Sequence, residues 1–359
     1  MLSPRRPERP LRARRTGLLR RVPTSVVVST LLVFLLVMTV LSVGAGAISI
    51  DPQRIVRIIA DRMAGSGASG PMDFIIWDLR MPRVVQAVVV GAGLAVAGAC
   101  VQVLVRNPIA DPYVLGLSSG AGVAAVLIIT TVGVATVGAF LLPIAAFIGA
   151  AATGAVVAMT AASRWGLSAG RLILSGVAVG QLLGGVMSFL LIRSGNSDAT
   201  QQVIFWLLGS LAGSQWSLIA IIAPVIIATI AATLALAGRL DLLGLGDAHA
   251  AASGANPGRT RLVVFALASL LTGAAVAASG TIGFVGLIIP HIARLLVGGM
   301  HRRVIPVSAL LGAILLVVAD LAARTVLAPS ELPVGIFTAA IGVPIFIFLM
   351  RRNRTTAFS

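Results

Sequence analysis

The sequence predicts an all-α protein that crosses a membrane about ten times, and three observations point there. Of its 359 residues, 58% are hydrophobic and 11% charged, against about 25% charged in an ordinary soluble domain. The apolar residues fall into long runs, such as 84–105, which contains no charge. A helix of that length crosses a hydrocarbon core of roughly 30 Å. The arginines sit between the runs and alternate from dense to sparse, as the positive-inside rule expects.

Residues 1–21 hold eight arginines and one acid, Glu8, and read as a disordered cytoplasmic tail. The run 22–48 follows. A signal peptide cleaved near Gly44-Ala45-Gly46-Ala47 is the competing reading, but its apolar core would exceed the usual 7–15 residues, so a retained first span is preferred. Residues 52–63 alternate Ile55, Val56, Ile58 and Ile59 with Arg54, Arg57, Asp61 and Arg62. That pattern predicts a short amphipathic helix lying on the outer membrane surface. A Gly/Ser loop (65–70) comes next.

Span 2 is 84–105, introduced by Arg80 and Arg83 around Pro82 and stopped by Arg106-Asn107-Pro108. Pro108 and Pro112 bar simple continuation, so 109–113 is a hinge. Spans 3 (114–132) and 4 (138–162) follow, with Pro143 expected to kink the latter. Span 5 (171–192) exits at Arg193, and Trp206 and Trp216 suit an interfacial depth. Span 6 is 217–238. The segment 239–261 is the longest polar stretch after the tail, and its flanking arginines put it inside. Spans 7 (262–278) and 8 (to 297) meet at the break Ser279-Gly280-Thr281-Ile282-Gly283 and must be short or partly re-entrant. Spans 9 (305–327) and 10 (334–350) lead to an inner tail, 351–359. On this map 19 arginines lie inside and seven outside, with Arg294 in a helix near the inner face. Residues 22–350 therefore form one transmembrane domain with both termini cytoplasmic.

Composition also excludes functions. All 27 basic residues are arginine. Without lysine there is no G-x-x-x-x-G-K-[ST] phosphate loop and no Schiff base, so an ATPase must come from another chain. The net charge of +16 belongs to loops beside spans and suits membrane orientation better than nucleic acid. Cys100 is the one cysteine, so no disulfide forms within the chain. No carboxylate pair, nucleophile–base set or metal cluster stands out, which speaks against an intramembrane enzyme. An ion-coupled secondary carrier would need intramembrane acids, and the spans hold only Asp320, near an end.

Within the spans, Gln86, Gln102 and Gln181 read as hydrogen-bonders between helices rather than as path residues. His291 beside Pro290 is expected to satisfy the carbonyl that the proline frees. Gly91 to Gly98 in span 2 echoes Gly273 to Gly280 in span 7, which suggests an inverted repeat of spans 2–5 and 7–10.

Several motifs carry a resemblance. They are L-R-x-P-R at 79–83, R-N-P-x-A-D-P at 106–112, L-G-x-S-S-G-A at 115–121, L-S-G-V-A-V-G at 174–180 and W-L-L-G-S at 206–210. Further along stand G-T-I-G-F-V-G-L-I-I-P-H-I-A-R at 280–294, A-D-L-A-A-R at 319–324 and E-L-P-V-G at 331–335. Over about residues 30–350 the chain resembles the FecCD family, the permease subunits of binding-protein-dependent ABC importers for iron chelates, haem and cobalamin. The resemblance implies the type II ABC importer permease fold in a bacterial cytoplasmic membrane. It also implies a second permease subunit, homologous or identical, and two ATP-binding subunits that hold the ATP and magnesium, with no cofactor bound by this chain. An extracytoplasmic binding protein would deliver the cargo, read here as an iron–siderophore complex, with haem or cobalamin as the alternative.

The same resemblance implies the sites. Arg80, Arg83 and Arg324 would dock the binding protein through its glutamates. The alternative is snorkelling or local pairing, Arg83 with Asp78 and Arg324 with Asp320. Gly246, Asp247, His249 and Ser253 would form the coupling helix for the ATPase, although the family's usual acidic pair is missing there. Asn107, Pro108 and Ile109, with Ala169 and Gly170, would line the cytoplasmic gate. His249 has no second ligand nearby and is not a metal site.

Overall fold

The computed structural model describes residues 23–46, 50–65, 70–133, 140–163 and 166–354. The basic tail (1–21), Ala47, the middle of the Gly/Ser loop (66–69), Arg164 and the last residues (355–359) lie outside the described residues. The helices, in order, are α1 (Thr24–Gly44), α2 (Pro52–Met63), α3 (Pro71–Phe74), which runs through a π turn (Ile75–Arg80) into α4 (Met81–Leu104), and α5 (Leu117–Thr131). Then come α6 (Leu141–Ala161), α7 (Ala169–Ser194), α8 (Ser197–Leu208), α9 (Trp216–Ala235), α10 (Ala237–Gly244) and α11 (Asp247–Ala252). The last four are α12 (Pro257–Ser279), α13 (Val285–Val297), α14 (His301–Thr325) and α15 (Val334–Arg354). Among the described residues seven helices are long and apolar enough to cross a membrane, and α5, α13 and the apolar part of α15 add three shorter ones.

The centre of the bundle is α4. In the most apolar stretch of Pro71–Leu104, 83% of residues are buried, against 11% in α1 and α7. Around α4 pack α14, α12, α13 and α9. Small residues make this possible, because without a hydrophobic force between helices close backbone approach supplies the packing energy. A Cβ on Gly98 would overlap the carbonyl of Gly286 in α13, and one on Gly91 would overlap Gly312 in α14. The echo between spans 2 and 7 reappears as packing. The contacts α4–α14, α5–α6, α5–α7 and α4–α13 have counterparts in α12–α6, α13–α14, α13–α15 and α12–α5.

Two prolines act otherwise than the sequence suggests. Pro143 sits in the first turn of α6, where its missing N–H has no intrahelical carbonyl to meet, so the expected kink is corrected to a helix start. Pro290, inside α13, leaves the Gly286 carbonyl free, and His291 does not take it. Gln102 Nε2 donates to Gly286 O at 3.2 Å and to Leu287 O at 3.0 Å, while Arg294 donates to the same amide's oxygen. Gln86 likewise donates to Ala278 O at 2.7 Å. Gln181, by contrast, lies on the exposed face of α7.

The break between α12 and α13 is held by backbone. Gly280 has φ 67° and lies against the Trp206 carbonyl, where a side chain would not fit. Ser210 N donates to Ser279 O at 2.9 Å. From the hinge after α4, the Tyr113 hydroxyl donates to Ile282 O at 2.8 Å and accepts from Ile282 N at 2.9 Å. The short α13 follows from this: its polar entry is tied inside the fold, as the small number of apolar residues in that hairpin requires. The amphipathic α2 departs from the expectation that it rests on lipid. Ile55 and Ile58 are buried against Val43, Ile76 and Val84, so its apolar face covers protein.

Candidate functional site

Polar side chains gather at the two ends of the bundle. At the first end meet the C-terminus of α1, the start of α4, the end of α14 and the turn before α15. Arg83 Nε donates to Asp320 Oδ1 at 2.8 Å, and its Nη1 reaches Glu331 Oε2 at 2.8 Å. Arg324 Nε donates to Asp320 Oδ2 at 3.0 Å. Asp320 is fully buried, Arg80, Arg83 and Arg324 nearly so, whereas the Glu331 side chain is 44% exposed.

The remaining donors cap α1. Arg80 Nη1 donates to Val43 O at 2.8 Å and Gly44 O at 3.0 Å. Arg324 Nη2 donates to Ser42 O at 3.0 Å and to the Ser42 hydroxyl at 2.6 Å. The last carbonyls of a helix have no intrahelical donors and carry the negative end of its dipole, so two guanidinium groups there are favourable. The sequence alternative of local pairing holds for Arg324 with Asp320. It is corrected for Arg83, whose carboxylates are Asp320 and Glu331. Asp78 lies instead beside Arg62, at 3.8 Å. Arg62 also stands over Trp77, and Trp216 Nε1 donates to Trp77 O at 2.8 Å.

At the second end stand α10 and α11. Asp247 begins α11, and its carboxylate takes Arg261 Nη2 at 2.7 Å, while Arg261 Nη1 donates to Leu167 O at 2.6 Å. One arginine thereby ties α11, α12 and the connection before α7. Asp241 of α10 accepts from the His301 backbone N at 2.9 Å and lies 2.6 Å from its Nδ1, which fixes α10 to the start of α14. Gly246, at φ 107°, turns the chain between α10 and α11 beside Arg106. His249 and Ser253 are exposed. Leu245 is 67% exposed and was not singled out from the sequence. A leucine in a polar inner loop was its only signal.

Asn107, Pro108 and Ile109 are exposed at this same end, with Asn107 Oδ1 accepting from Ile109 N at 3.1 Å. Asp111 caps the 3-10 turn Pro112–Leu115 by accepting from Tyr113 N at 2.9 Å. Burial pushes its carboxyl up to about 6, and the hydrogen bond from Tyr113 N opposes the shift. Ala169 and Gly170 open α7 on a separate element, capped by Ser168, and a side chain on Gly170 would meet open space. The structure therefore brings the three arginines into one cluster and the loop residues onto one end. The two halves of the expected gate stand on different elements of that end.

Residues 34–352 match the model of the FecCD transport family. The chain belongs to that family. Among FecCD relatives, the Fe(3+)-citrate import system permease protein YfmE of Bacillus subtilis is 38% identical over 322 residues, covering 89% of this chain and 93% of the relative. The hemin transport system permease protein HmuU of Yersinia pestis is 38% identical and covers 93% and 98%. The cobalamin import system permease protein BtuC of Halobacterium salinarum is 43% identical over 79% and 75%. In fold, the FecCD chain matches a solved structure described as a metal-chelate type ABC transporter in an inward-facing conformation. The TM-score is 0.80 at 30% identity, over 91% of this chain and 99% of that one. The all-helical ABC permease fold expected from the sequence is therefore correct.

Proposed function

We propose that this chain is the permease subunit of an ATP-driven importer in the bacterial cytoplasmic membrane, carrying an iron–siderophore complex inward. The observation that carries the reading is the family match across 34–352, joined by the fold match to a metal-chelate type transporter. Both termini lie inside, following the arginine distribution. Two ATP-binding subunits bring the ATP and magnesium, and the chain itself works without a bound cofactor.

The loop with Gly246, Asp247, His249 and Ser253 receives the ATP-binding subunit. In support, Arg261 braces Asp247 from within, while Leu245 and His249 are left exposed for a partner. A second permease subunit faces α7. There Gln181, Gly185 and Ser188 share an exposed stripe at helical spacing, and an amide facing hydrocarbon alone is costly. Asn107, Pro108 and Ile109, with Ala169 and Gly170, line the inner mouth of the path.

The outer rim held by Arg80, Arg83 and Arg324 receives an extracytoplasmic binding protein. Since Asp320 is enclosed, the exchangeable carboxylate on Arg83 is the exposed Glu331, and an incoming glutamate takes its place.

The substrate test is uptake by cells expressing this permease with its ATP-binding subunit and binding protein. Labelled ferric siderophore should accumulate and should not be competed by excess haem or cobalamin. Accumulation of haem or cobalamin instead would move the assignment to that substrate within the family.

A further inference from the structure

A furrow runs up one face of α12 from the inner end of the bundle. At its base is a recess of about 420 Å³ lined by Arg239, Asn256, Arg259, Thr260 and Val263. Further along the same helix, between α6 and α12, is a second recess of about 300 Å³, walled by Phe147, Ala151, Ala158, Ala266 and Leu270 without a charged residue. Arg259, Val263, Ala266, Leu270 and Gly273 recur at steps of four and three, so they form one stripe of the helix.

The base is a cation pocket without a counter-charge. The two nearest acids in sequence are engaged elsewhere, Asp241 with His301 and Asp247 with Arg261. Among the described residues no acid lines the recess, and Arg239 and Arg259 are both exposed into it. From Arg259 to Leu270 the helix rises about 16 Å, roughly half the thickness of a bilayer core and so the reach of one leaflet's acyl chain.

We propose that this furrow is a binding site for one anionic phospholipid of the inner leaflet. Its phosphate sits between Arg239 and Arg259, and an acyl chain lies along Ala266 and Leu270 against Phe147. A basic pocket between helices at the cytoplasmic side is the geometry that holds acidic headgroups. The wall of Ala and Gly on α6 leaves room for a chain that protein side chains do not fill. The site lies apart from the outer arginine cluster and stands whether or not the cargo is an iron chelate.

The test is native mass spectrometry of the purified permease with phosphatidylglycerol or with phosphatidylcholine of the same chains. The wild type should retain one phosphatidylglycerol in preference to phosphatidylcholine. Arg239→Gln with Arg259→Gln should lower that retention roughly tenfold. Arg302→Gln with Arg303→Gln removes the same charge from the same end and should leave it unchanged. Ala266→Phe fills the furrow without altering charge and should also lower retention. Wild-type retention in both the double arginine variant and Ala266→Phe would overturn the proposal, as would equal losses in the two arginine pairs. Loss of ATP-binding subunit association with lipid retention intact would assign the recess to an acidic protein surface instead.

Discussion

Arg83 and Arg324 share one carboxylate: Asp320 gives Oδ1 to Arg83 at 2.8 Å and Oδ2 to Arg324 at 3.0 Å, with all three side chains at most 8% exposed. Removing the shared acid leaves the enclosed Arg324 without its carboxylate and Arg83 with only the part-exposed Glu331. Asp320→Ala should therefore destabilise the permease by about 3–5 kcal/mol. Thermal unfolding of the purified protein, followed by aggregation onset, reads this directly. A midpoint equal to wild type would mean that the cluster is not structural.

Glu331 is the contrasting member, since its side chain is 44% exposed. Glu331→Gln should cost under about 1 kcal/mol of stability while freeing one side of Arg83. If a partner glutamate takes that place, the variant should bind the extracytoplasmic binding protein several-fold more tightly at low salt, and the gain should shrink at high salt. Surface plasmon resonance on the permease in nanodiscs measures it. Unchanged affinity at both salt concentrations would remove Arg83 from the docking surface.

How much of this was legible beforehand follows from range. The apolar runs gave the spans, because hydropathy and length are local properties, and the arginine pairs marked their ends. Partners across the bundle were not legible. Asp78 was nearer to Arg83 in sequence, yet Asp320 and Glu331 come to it through the packing of α14 on α4. In the same way His291 was the neighbour of Pro290, but Gln102 on another helix reaches the freed carbonyl. Ile55 and Ile58 showed an apolar face without showing whether lipid or protein covers it.

The hinge clasp gives a third prediction. Tyr113→Phe removes both the donor to Ile282 O and the acceptor for Ile282 N. Stability should fall by about 1–3 kcal/mol, the cost of leaving enclosed polar groups unmade. Hydrogen exchange at the Ile282 amide should quicken, while amides in the middle of α9 keep their protection. Unchanged exchange at Ile282 would mean the clasp is not formed.

Asp111 gives a pH dependence. Its folded pKa of about 6 lies above the ordinary value of 3.8, because burial disfavours the charged form. Its contribution to stability is then fully present below about pH 4 and is lost as pH rises through about 6. The difference in unfolding midpoint between wild type and Asp111→Asn should therefore shift in favour of the wild type as pH falls from 7 to 5. A difference that stays flat over that window would place the Asp111 carboxylate in contact with water.

Close helix contact gives a prediction about packing. Gly98→Val should destabilise the bundle by at least about 1–3 kcal/mol, since its Cβ meets the Gly286 backbone rather than a movable side chain. Gly184→Val, where nothing lies within 4 Å, is the control and should leave the isolated subunit's midpoint near wild type. Equal midpoints for the two variants would contradict the packing of α4 on α13.

The central claim is that this chain is a passive path worked by another chain's ATPase. It is tested most directly by transport in proteoliposomes containing the permease, its ATP-binding subunit and the binding protein loaded with labelled ferric siderophore. The account predicts uptake only with all three proteins and ATP, and uptake lost on replacing Asp247 and His249 by bulky residues while binding-protein docking persists. Uptake by the permease alone, driven by a proton or sodium gradient, would contradict it.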